Sequence, residues 1–352
     1  MADSIINSME KIVQRFPFQL GCCAGAATVL LYMLGRKWNP NLSVVINLCD
    51  LYLSLKPNKL NLGDSNTKEL NEVRRSHAAL PMGPLIPVAS VKRVEIPSTY
   101  NGPAIPVHIF TPNSCPPNSP IVVFIHGGGF VVGNTKMYEP IITYIANKTR
   151  TIVVGVDYRK APEDKFPCGV QDCLDAVRWV YTQAHTLGGD SSRLAVMGDS
   201  AGGNLTAIVS LELSDLVYMA IPIYPVIYFG VLSESKVRNA DAPVLKATSV
   251  DWYNLRYFRY RSDLVHPLAN PLERSKEQLA KAPYTHVITA EFDVLLDEGV
   301  EYVQALRDVG VKVTYKNYRN TVHGFFGNQL LTHGQAAMDD VCDILKRELR
   351  TD

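Results

Sequence analysis

At 352 residues, with 47% hydrophobic and 20% charged side chains, the chain has the composition of a folded protein with a large core, which excludes a disordered or fibrous protein. Lys and Arg total 35 against 34 Asp and Glu, and no dense basic stripe is present, so we expect no nucleic-acid partner and favour a neutral or apolar substrate. The seven cysteines include no C-x-x-C pair, which excludes an obvious disulfide framework or zinc site.

The N-terminus contains an uncharged run of twenty residues, 16–35, bounded by arginines. This length is enough to cross a bilayer as a helix, so residues 1–37 are a candidate membrane anchor. Pro17, Gln19 and three glycines weaken that interpretation, and a buried lid helix is the alternative. Basic residues flank both ends of the run, so they do not choose an orientation.

A polar and then proline-rich stretch follows at residues 57–87, with one short helical pattern over 67–79. Such a stretch indicates a connector into the main domain. We therefore assign residues 38–90 to N-terminal lid helices and the connector, and residues 91–352 to one catalytic domain.

Strand-like runs then alternate with helical patterns, which predicts an α/β fold with an eight-stranded, mostly parallel sheet flanked by helices. The runs IVVFIH, TIVVGV and THVITA are continuously apolar, as buried parallel strands must be, so they should be central. The predicted strands span residues 91–96, 105–110, 121–125, 151–156, 194–197, 217–223, 286–289 and 312–315. The predicted helices span residues 138–147, 169–184, 201–213, 298–309 and 334–349.

An aromatic-rich insertion at about residues 228–271, after the sixth strand, interrupts this alternation. We expect it to join the N-terminal residues in a helical lid. It supplies Trp252, Tyr253 and Tyr257, which with Phe130 are candidates for binding an acyl or aryl group. The same aromatic pattern fits packing within the lid equally well.

The motif GDSAG at residues 198–202 follows the strand LAVM and precedes an apolar helix, the context of a nucleophile elbow. A turn this sharp strains the backbone at Ser200, and side chains at Gly198 or Gly202 would collide with neighbouring elements. The alternative is a helix N-cap serine in a glycine turn. Ser200 is our candidate nucleophile.

The motif HGGG at residues 126–129 directly follows the third strand, where a glycine loop can turn backbone N–H groups toward a developing oxyanion. We predict an oxyanion hole from Gly127 or Gly128 together with Ala201. The amide of Ala201 begins a helix, so the helix dipole adds to its hydrogen bond. His126 is expected to brace the loop, and a plain glycine turn is the alternative.

A serine hydroxyl needs a base within hydrogen-bond reach, because it is a poor nucleophile at neutral pH. Of the eight histidines, His323 lies after the last predicted strand and is followed by Gly-Phe-Phe. It preserves the chain order Ser, Asp, His that is typical of α/β hydrolases. His323 is the predicted base.

A carboxylate must orient that imidazole, and it should come from the loop ITAEFDVLLDEG. Asp293 lies immediately past the predicted strand and is our candidate. Its rivals are Glu291, Asp297 and Glu298, of which the last two are expected to cap the following helix.

Taken together, these motifs resemble the hormone-sensitive-lipase-like branch of the α/β hydrolases over residues 65–350. The resemblance implies a carboxylic-ester hydrolase without metal or cofactor, in which Ser200, Asp293 and His323 form the triad. It also implies a lid built from the N-terminal helices and the insertion. The matching motifs are HGGGF at 126–130, DYRKAPEDKFP at 157–167, GDSAGGN at 198–204, EFDVLLDEG at 291–299 and HGF at 323–325.

The N-terminal run is similar to the membrane anchor of arylacetamide-deacetylase members, which face the lumen of the endoplasmic reticulum. This implies membrane association at that compartment, with a cytoplasmic location as the alternative.

We predict a serine carboxylesterase for apolar short-to-medium acyl or aryl esters, with a small-molecule or lipid ester as substrate. Amide hydrolysis (a deacetylase) and lipase activity use the same triad and stay open. A catalytically weak binding module, as in plant gibberellin receptors that lack the catalytic histidine, is less favoured because Ser200, Asp293 and His323 are all present. The sequence does not indicate an oligomeric state.

Overall fold

The structure is a computed structural model that describes residues 67–78, 83–328 and 332–351. The candidate anchor at residues 1–37 lies outside the described residues. In chain order the elements are α1 (Thr67–Ala78), β1 (Ser90–Ile96), β2 (Ile105–Thr111), β3 (Ser119–Ile125), α2 (Thr135–Thr149), β4 (Ile152–Val156), α3 (Cys168–Gln183), β5 (Gly189–Asp199), α4 (Ala201–Glu212), β6 (Met219–Ile223), α5 (Glu234–Arg238), α6 (Ala247–Tyr257), two 3₁₀ turns (Arg261–Val265 and Pro271–Glu273), α7 (Lys276–Leu279), β7 (Tyr284–Phe292), α8 (Leu296–Asp308), β8 (Val313–Val322) and α9 (Thr332–Leu349).

The eight strands form one sheet in the order β1-β2-β4-β3-β5-β6-β7-β8. The pairs β1–β2 and β2–β4 are antiparallel, and the remaining pairs are parallel. The predicted α/β class with an eight-stranded, mostly parallel sheet is therefore confirmed. Its parallel strands direct their carboxyl ends to one edge, where the functional loops emerge.

Strand β3 shows why the interior strands are continuously apolar. Alternate side chains of a strand point to opposite faces of the sheet. Ile121 and Ile125 pack in one core cluster with Val177 of α3, whereas Phe124 packs in a second cluster with Ile141 of α2. Since helices cover both faces, polar side chains have no solvent to reach, and each fully buried aliphatic side chain contributes about 1.5–3 kcal/mol.

Strands β5 and β8 extend furthest beyond the ranges that the hydropathy pattern predicts. Strand β5 begins at Gly189, because a register shift between Pro120 and Ile121 of β3 allows a polar segment to pair before the apolar run begins. Strand β8 continues to Val322 as an edge strand that alternates between exposed and partly buried positions. Its polar residues therefore belong to the strand and not to a loop.

The predicted insertion at about residues 228–271 contains α5, α6 and the 3₁₀ turn Arg261–Val265. Helix α1 contributes Leu70 to the core cluster that also holds the α6 aromatics. Arg74 of α1 donates to the carbonyl oxygens of Val131 (3.1 Å) and Ala161 (3.2 Å), so this helix lies beside the segment that follows HGGG. In the part of the chain that the structure describes, no helix has the length and apolar character needed to span a membrane.

Candidate active site

Ser200 occupies the turn between β5 and α4 with backbone angles φ 56° and ψ −118°. A non-glycine residue in this region carries about 1–3 kcal/mol of strain, which the surrounding structure must hold. A Cβ at Gly198 would lie 2.3 Å from the carbonyl oxygen of Ile125, and a Cβ at Gly202 would lie 2.0 Å from the same oxygen. Only glycine therefore fits on either side of the strained serine.

Three side chains from separate loops form one hydrogen-bonded chain. His323 Nε2 lies 2.8 Å from Ser200 Oγ, and His323 Nδ1 lies 2.7 Å from Asp293 Oδ2. Asp293 is fully buried, and its other oxygen accepts from the amide of Leu295 at 2.9 Å. In this geometry the serine hydroxyl donates to Nε2 while Nδ1–H donates to the carboxylate, the arrangement that prepares a serine for attack.

The three residues meet because each follows the carboxyl end of a parallel strand. Ser200 follows β5, Asp293 follows β7 and His323 follows β8. Residues far apart in sequence thus converge above one sheet edge, as ligand sites of open α/β sheets do. The structure brings together the residues that the sequence analysis selected as nucleophile, acid and base.

The three rival carboxylates contact other partners. Glu291 accepts from a backbone amide of β8, and Asp297 accepts from the amide of Ser235 at 2.6 Å. Glu298 forms an ion pair with Lys236 at 2.6 Å. The expectation that Asp297 and Glu298 cap the following helix is incomplete: both lie in the first turn of α8, but their side chains bond to the lid insertion.

The prediction that Gly127 serves the oxyanion hole is wrong. Its amide donates to Asp199 Oδ1 at 2.8 Å and so is not available to a substrate. The loop turns at the next two glycines, with φ of 115° at Gly128 and 58° at Gly129. Within the described ranges, the amides of Gly128, Gly129 and Ala201 donate to no protein acceptor, so these three are the candidate donors. Gly129 was not among the residues predicted from the sequence.

His126 braces the glycine loop in the way expected from the sequence. Its Nδ1 lies 2.7 Å from the carbonyl oxygen of Gly127, and its ring stacks on Tyr158 with centroids 4.4 Å apart. The hydroxyl of Tyr158 in turn donates to the carbonyl oxygen of His126 at 2.9 Å. These contacts fix the backbone where the loop leaves β3.

Asp199, immediately before the nucleophile, is a buried carboxylate to which the sequence analysis assigned no role. Burial raises the pKa of Asp199 to about 6, although the amide of Gly127, the charge of His323 and the hydroxyl of Tyr138 act in the opposite direction. The sequence did offer one indication that Asp199 has a role, because an acidic residue lies there between an apolar strand and the nucleophile.

The aromatic candidates for substrate binding divide by burial. Phe130 stacks on Tyr257 with centroids 3.9 Å apart, and both rings are buried, as is Trp252. Tyr253 is half-buried and lies against the glycine loop, where a Cβ on Gly129 would be 2.3 Å from its ring. Among these candidates, Tyr253 therefore has an exposed surface that could contact a ligand. Phe130, Trp252 and Tyr257 instead pack the lid against the glycine loop.

Neither metal nor disulfide chemistry is indicated by the described side chains. No group of three His, Cys, Asp or Glu residues within the described ranges could hold a metal ion. The described cysteines, which are Cys115, Cys168, Cys173 and Cys342, are free thiols.

A family profile described as the alpha/beta hydrolase fold matches residues 122–327, which include all three residues of the hydrogen-bonded chain. The chain belongs to the α/β-hydrolase family. This hydrolase is 32% identical over 283 residues to esterase LipI of Mycobacterium tuberculosis, with 78% of this chain and 86% of that protein covered. It is 29% identical over 239 residues to a gibberellin receptor of Oryza sativa subsp. japonica, covering 65% of this chain and 68% of that protein.

Among solved structures, the hydrolase superimposes on an alpha/beta hydrolase enzyme from the metagenome of Lake Arreo, Spain, with a TM-score of 0.80 and 29% identity. The match covers 88% of this chain and 98% of that one. These relatives confirm the resemblance to the hormone-sensitive-lipase-like branch. The likeness of the N-terminus to arylacetamide deacetylases stays a prediction.

Proposed function

We propose that this hydrolase is a serine carboxylesterase that acts on apolar short-to-medium acyl or aryl esters. The observation that carries the proposal is the unbroken hydrogen-bonded chain from Ser200 through His323 to Asp293, with the serine held in a strained elbow. The similarity to esterase LipI supports an ester as the substrate class.

In the proposed reaction, Ser200 Oγ attacks the ester carbonyl carbon while its proton passes to His323 Nε2. The tetrahedral oxyanion collapses, the bond from carbon to the alcohol oxygen breaks, and Nε2–H protonates the leaving alcohol. Water then gives a proton to Nε2 as its oxygen attacks the acyl carbon, the bond from that carbon to Ser200 Oγ breaks, and Nε2–H returns the proton to Oγ, which releases the carboxylic acid. Asp293 holds Nδ1–H and stabilises the imidazolium in both halves.

The oxyanion would be stabilised by the amides of Gly128, Gly129 and Ala201. The amide of Ala201 begins α4, so its hydrogen bond is reinforced by the helix dipole. Loss of a single donor of this kind typically costs about 3 kcal/mol of transition-state stabilisation.

Hydrolysis of p-nitrophenyl acetate, butyrate, octanoate and palmitate by the full chain tests the proposal, with Ser200→Ala and His323→Ala as controls. We expect turnover of the shorter esters and loss of most activity in both variants. Preference for palmitate would favour the lipase alternative, and faster cleavage of p-nitroacetanilide than of p-nitrophenyl acetate would favour the amidase or deacetylase alternative.

A folded wild type that neither turns over any ester nor reacts with a fluorophosphonate probe would contradict the proposal. That result would favour the binding-module alternative, the class to which the gibberellin-receptor relative belongs by name.

We also propose that residues 1–37 attach the hydrolase to a membrane and that α1 and the 228–271 insertion cap the site. The uncharged run at 16–35 supports the first part. The contacts of Arg74 with Val131 and Ala161 support the second. Alkaline carbonate extraction of cells expressing residues 1–352 or 38–352 tests the anchor: extraction of both forms into the supernatant would favour the cytoplasmic alternative.

A further inference from the structure

We propose that Asp199 is a positioning residue that fixes the glycine loop relative to Ser200, so that the oxyanion donors are aligned before substrate binds. The proposal rests on the proposed function, because a positioned oxyanion hole matters only if Ser200 attacks a carbonyl group.

The contacts of Asp199 tie two loops together. Its Oδ1 accepts from the amide of Gly127 at 2.8 Å, and its Oδ2 accepts from the hydroxyl of Tyr138 at 3.1 Å. A Cβ on Gly127 would lie 2.6 Å from Oδ2, so the carboxylate packs directly on the loop backbone. Since Asp199 precedes the nucleophile in the chain, it connects the loop after β3 to the elbow after β5.

The loop beyond Gly127 also has hydrogen bonds of its own and bonds to other segments, such as that of Arg74 to Val131. The carbonyl oxygen of Gly128 accepts from the amides of Val131 (3.0 Å) and Val132 (2.9 Å), which closes a tight turn. The turn is therefore internally fixed, and the Asp199 contact joins it to the residue that precedes the serine. A displacement of about 1 Å in a reacting group's surroundings can cost on the order of a hundredfold in rate.

Asp199 lies among titratable groups from four other segments. These groups are Tyr138 in α2, Tyr158 in the loop after β4, Tyr224 in the loop after β6 and His323 in the loop after β8. The three tyrosines are neutral at ordinary pH, because burial raises the pKa of each well above its usual value. The electrostatic interaction that changes during catalysis is thus the one between Asp199 and His323.

That interaction gives the proposal a measurable signature. The charge of His323 lowers the pKa of Asp199, so the charged carboxylate and the charged imidazole attract each other. A side chain that merely filled space would have no such effect. Because the pKa of Asp199 is about 6, its own ionisation contributes to the acidic limb of the kcat/KM profile, and we expect that limb to move in both Asp199→Asn and Asp199→Ala.

The experiment compares these variants with wild type on p-nitrophenyl butyrate, with each preparation normalised by fluorophosphonate titration of its reactive serines. An alkyl trifluoromethyl ketone, which forms a tetrahedral adduct with the serine, reports on the oxyanion hole directly. For Asp199→Ala we expect kcat to fall about a hundredfold, KM to change less than about threefold and the ketone Ki to rise with the loss in kcat/KM. Asp199→Asn keeps an acceptor for Gly127, so its kcat should stay within about tenfold.

Asp172→Asn is the matched control, because Asp172 is a fully buried carboxylate that pairs with Arg159 away from the triad. Its kcat, Ki and pH profile should equal those of wild type. The proposal is overturned if Asp199→Ala keeps kcat and Ki within about threefold of wild type, or if neither Asp199 variant shifts the acidic limb. If Asp199→Ala does not fold, the pH profile of Asp199→Asn tests the proposal instead.

The two failures can be distinguished. A wild type inert toward esters contradicts the proposed function, whatever Asp199 does. An active wild type with an indifferent Asp199→Ala contradicts this inference alone.

Discussion

Replacement of Asp199 by Asn should stabilise the folded hydrolase at alkaline pH. Burial raises the pKa of this carboxyl from 3.8 to about 6, so the folded state binds its proton more tightly than the unfolded state does. The unfavourable contribution is therefore complete above about pH 6 and disappears below about pH 3.8. At 1.36 kcal/mol for each tenfold change, ionised Asp199 costs about 3 kcal/mol at pH 8 and about half of that at pH 5.

Asparagine has the same shape, and its Oδ1 can still accept from the amide of Gly127, so most of the packing is retained. We therefore expect the free energy of unfolding of Asp199→Asn to exceed that of wild type by up to about 3 kcal/mol at pH 8, with a gain about half as large at pH 5. Urea unfolding followed by tryptophan fluorescence at the two pH values measures both quantities.

Asp172→Asn serves as the control, because it leaves Arg159 without its closest carboxylate, at 2.8 Å, and should lose stability at both pH values. An Asp199→Asn variant that is no more stable than wild type at pH 8 would contradict this prediction. So would a gain in stability that has the same size at pH 5.

Three further changes probe the elbow, the lid and the acid. Gly202→Ala places a Cβ about 2.0 Å from the carbonyl oxygen of Ile125, so we expect loss of fluorophosphonate labelling with little change in circular dichroism if only the elbow shifts. Lys236→Met leaves buried Glu298 without its cation and should cost about 3 kcal/mol in urea unfolding, most of which the added change Glu298→Gln restores. Asp293→Asn should lower kcat about ten-thousandfold on p-nitrophenyl butyrate while KM changes little.

The strands and the triad could be predicted because their signals are local. Apolar runs mark interior strands, and a serine between two glycines at the junction of strand and helix is typical of a nucleophile elbow. His323 and Asp293 followed from their places after the last two strands. The chain order of an α/β sheet then implies proximity, since the carboxyl ends of parallel strands share one edge.

The oxyanion loop could not be predicted to the same depth. Which amide of a glycine run faces a substrate depends on backbone angles, and consecutive glycines leave those angles undetermined by sequence. In the structure, the positive φ at Gly128 and Gly129 and the contact of Gly127 with Asp199 determine which amides are free to meet an oxyanion. The aromatic lid residues presented the same difficulty, because burial of Trp252 and partial exposure of Tyr253 follow from packing against segments distant in sequence.

The carboxylates around the site share one physical task, so residue type alone does not separate them, and Asp293 could be selected only by its place after a strand. A loop has no neighbouring strand to accept its N–H groups, so each buried amide needs another acceptor. Asp199 accepts from Gly127, Asp297 accepts from Ser235, and Glu298 accepts from two amides at the start of the lid insertion. Asp293 also accepts from a backbone amide, that of the second residue after it.

Asp293 differs from these residues only in its second oxygen, which reaches His323. An acid that orients a base and an acid that holds a loop can thus share a carboxylate group, deep burial and a backbone contact, as Asp293 and Asp199 do. What separates them is whether the remaining lone pairs meet an imidazole. Lost contact with a loop amide should misalign the oxyanion donors, and lost contact with the imidazole should remove the base. The two kinds of variant should therefore differ most in one ratio, that of the affinity for a tetrahedral inhibitor to the rate of turnover.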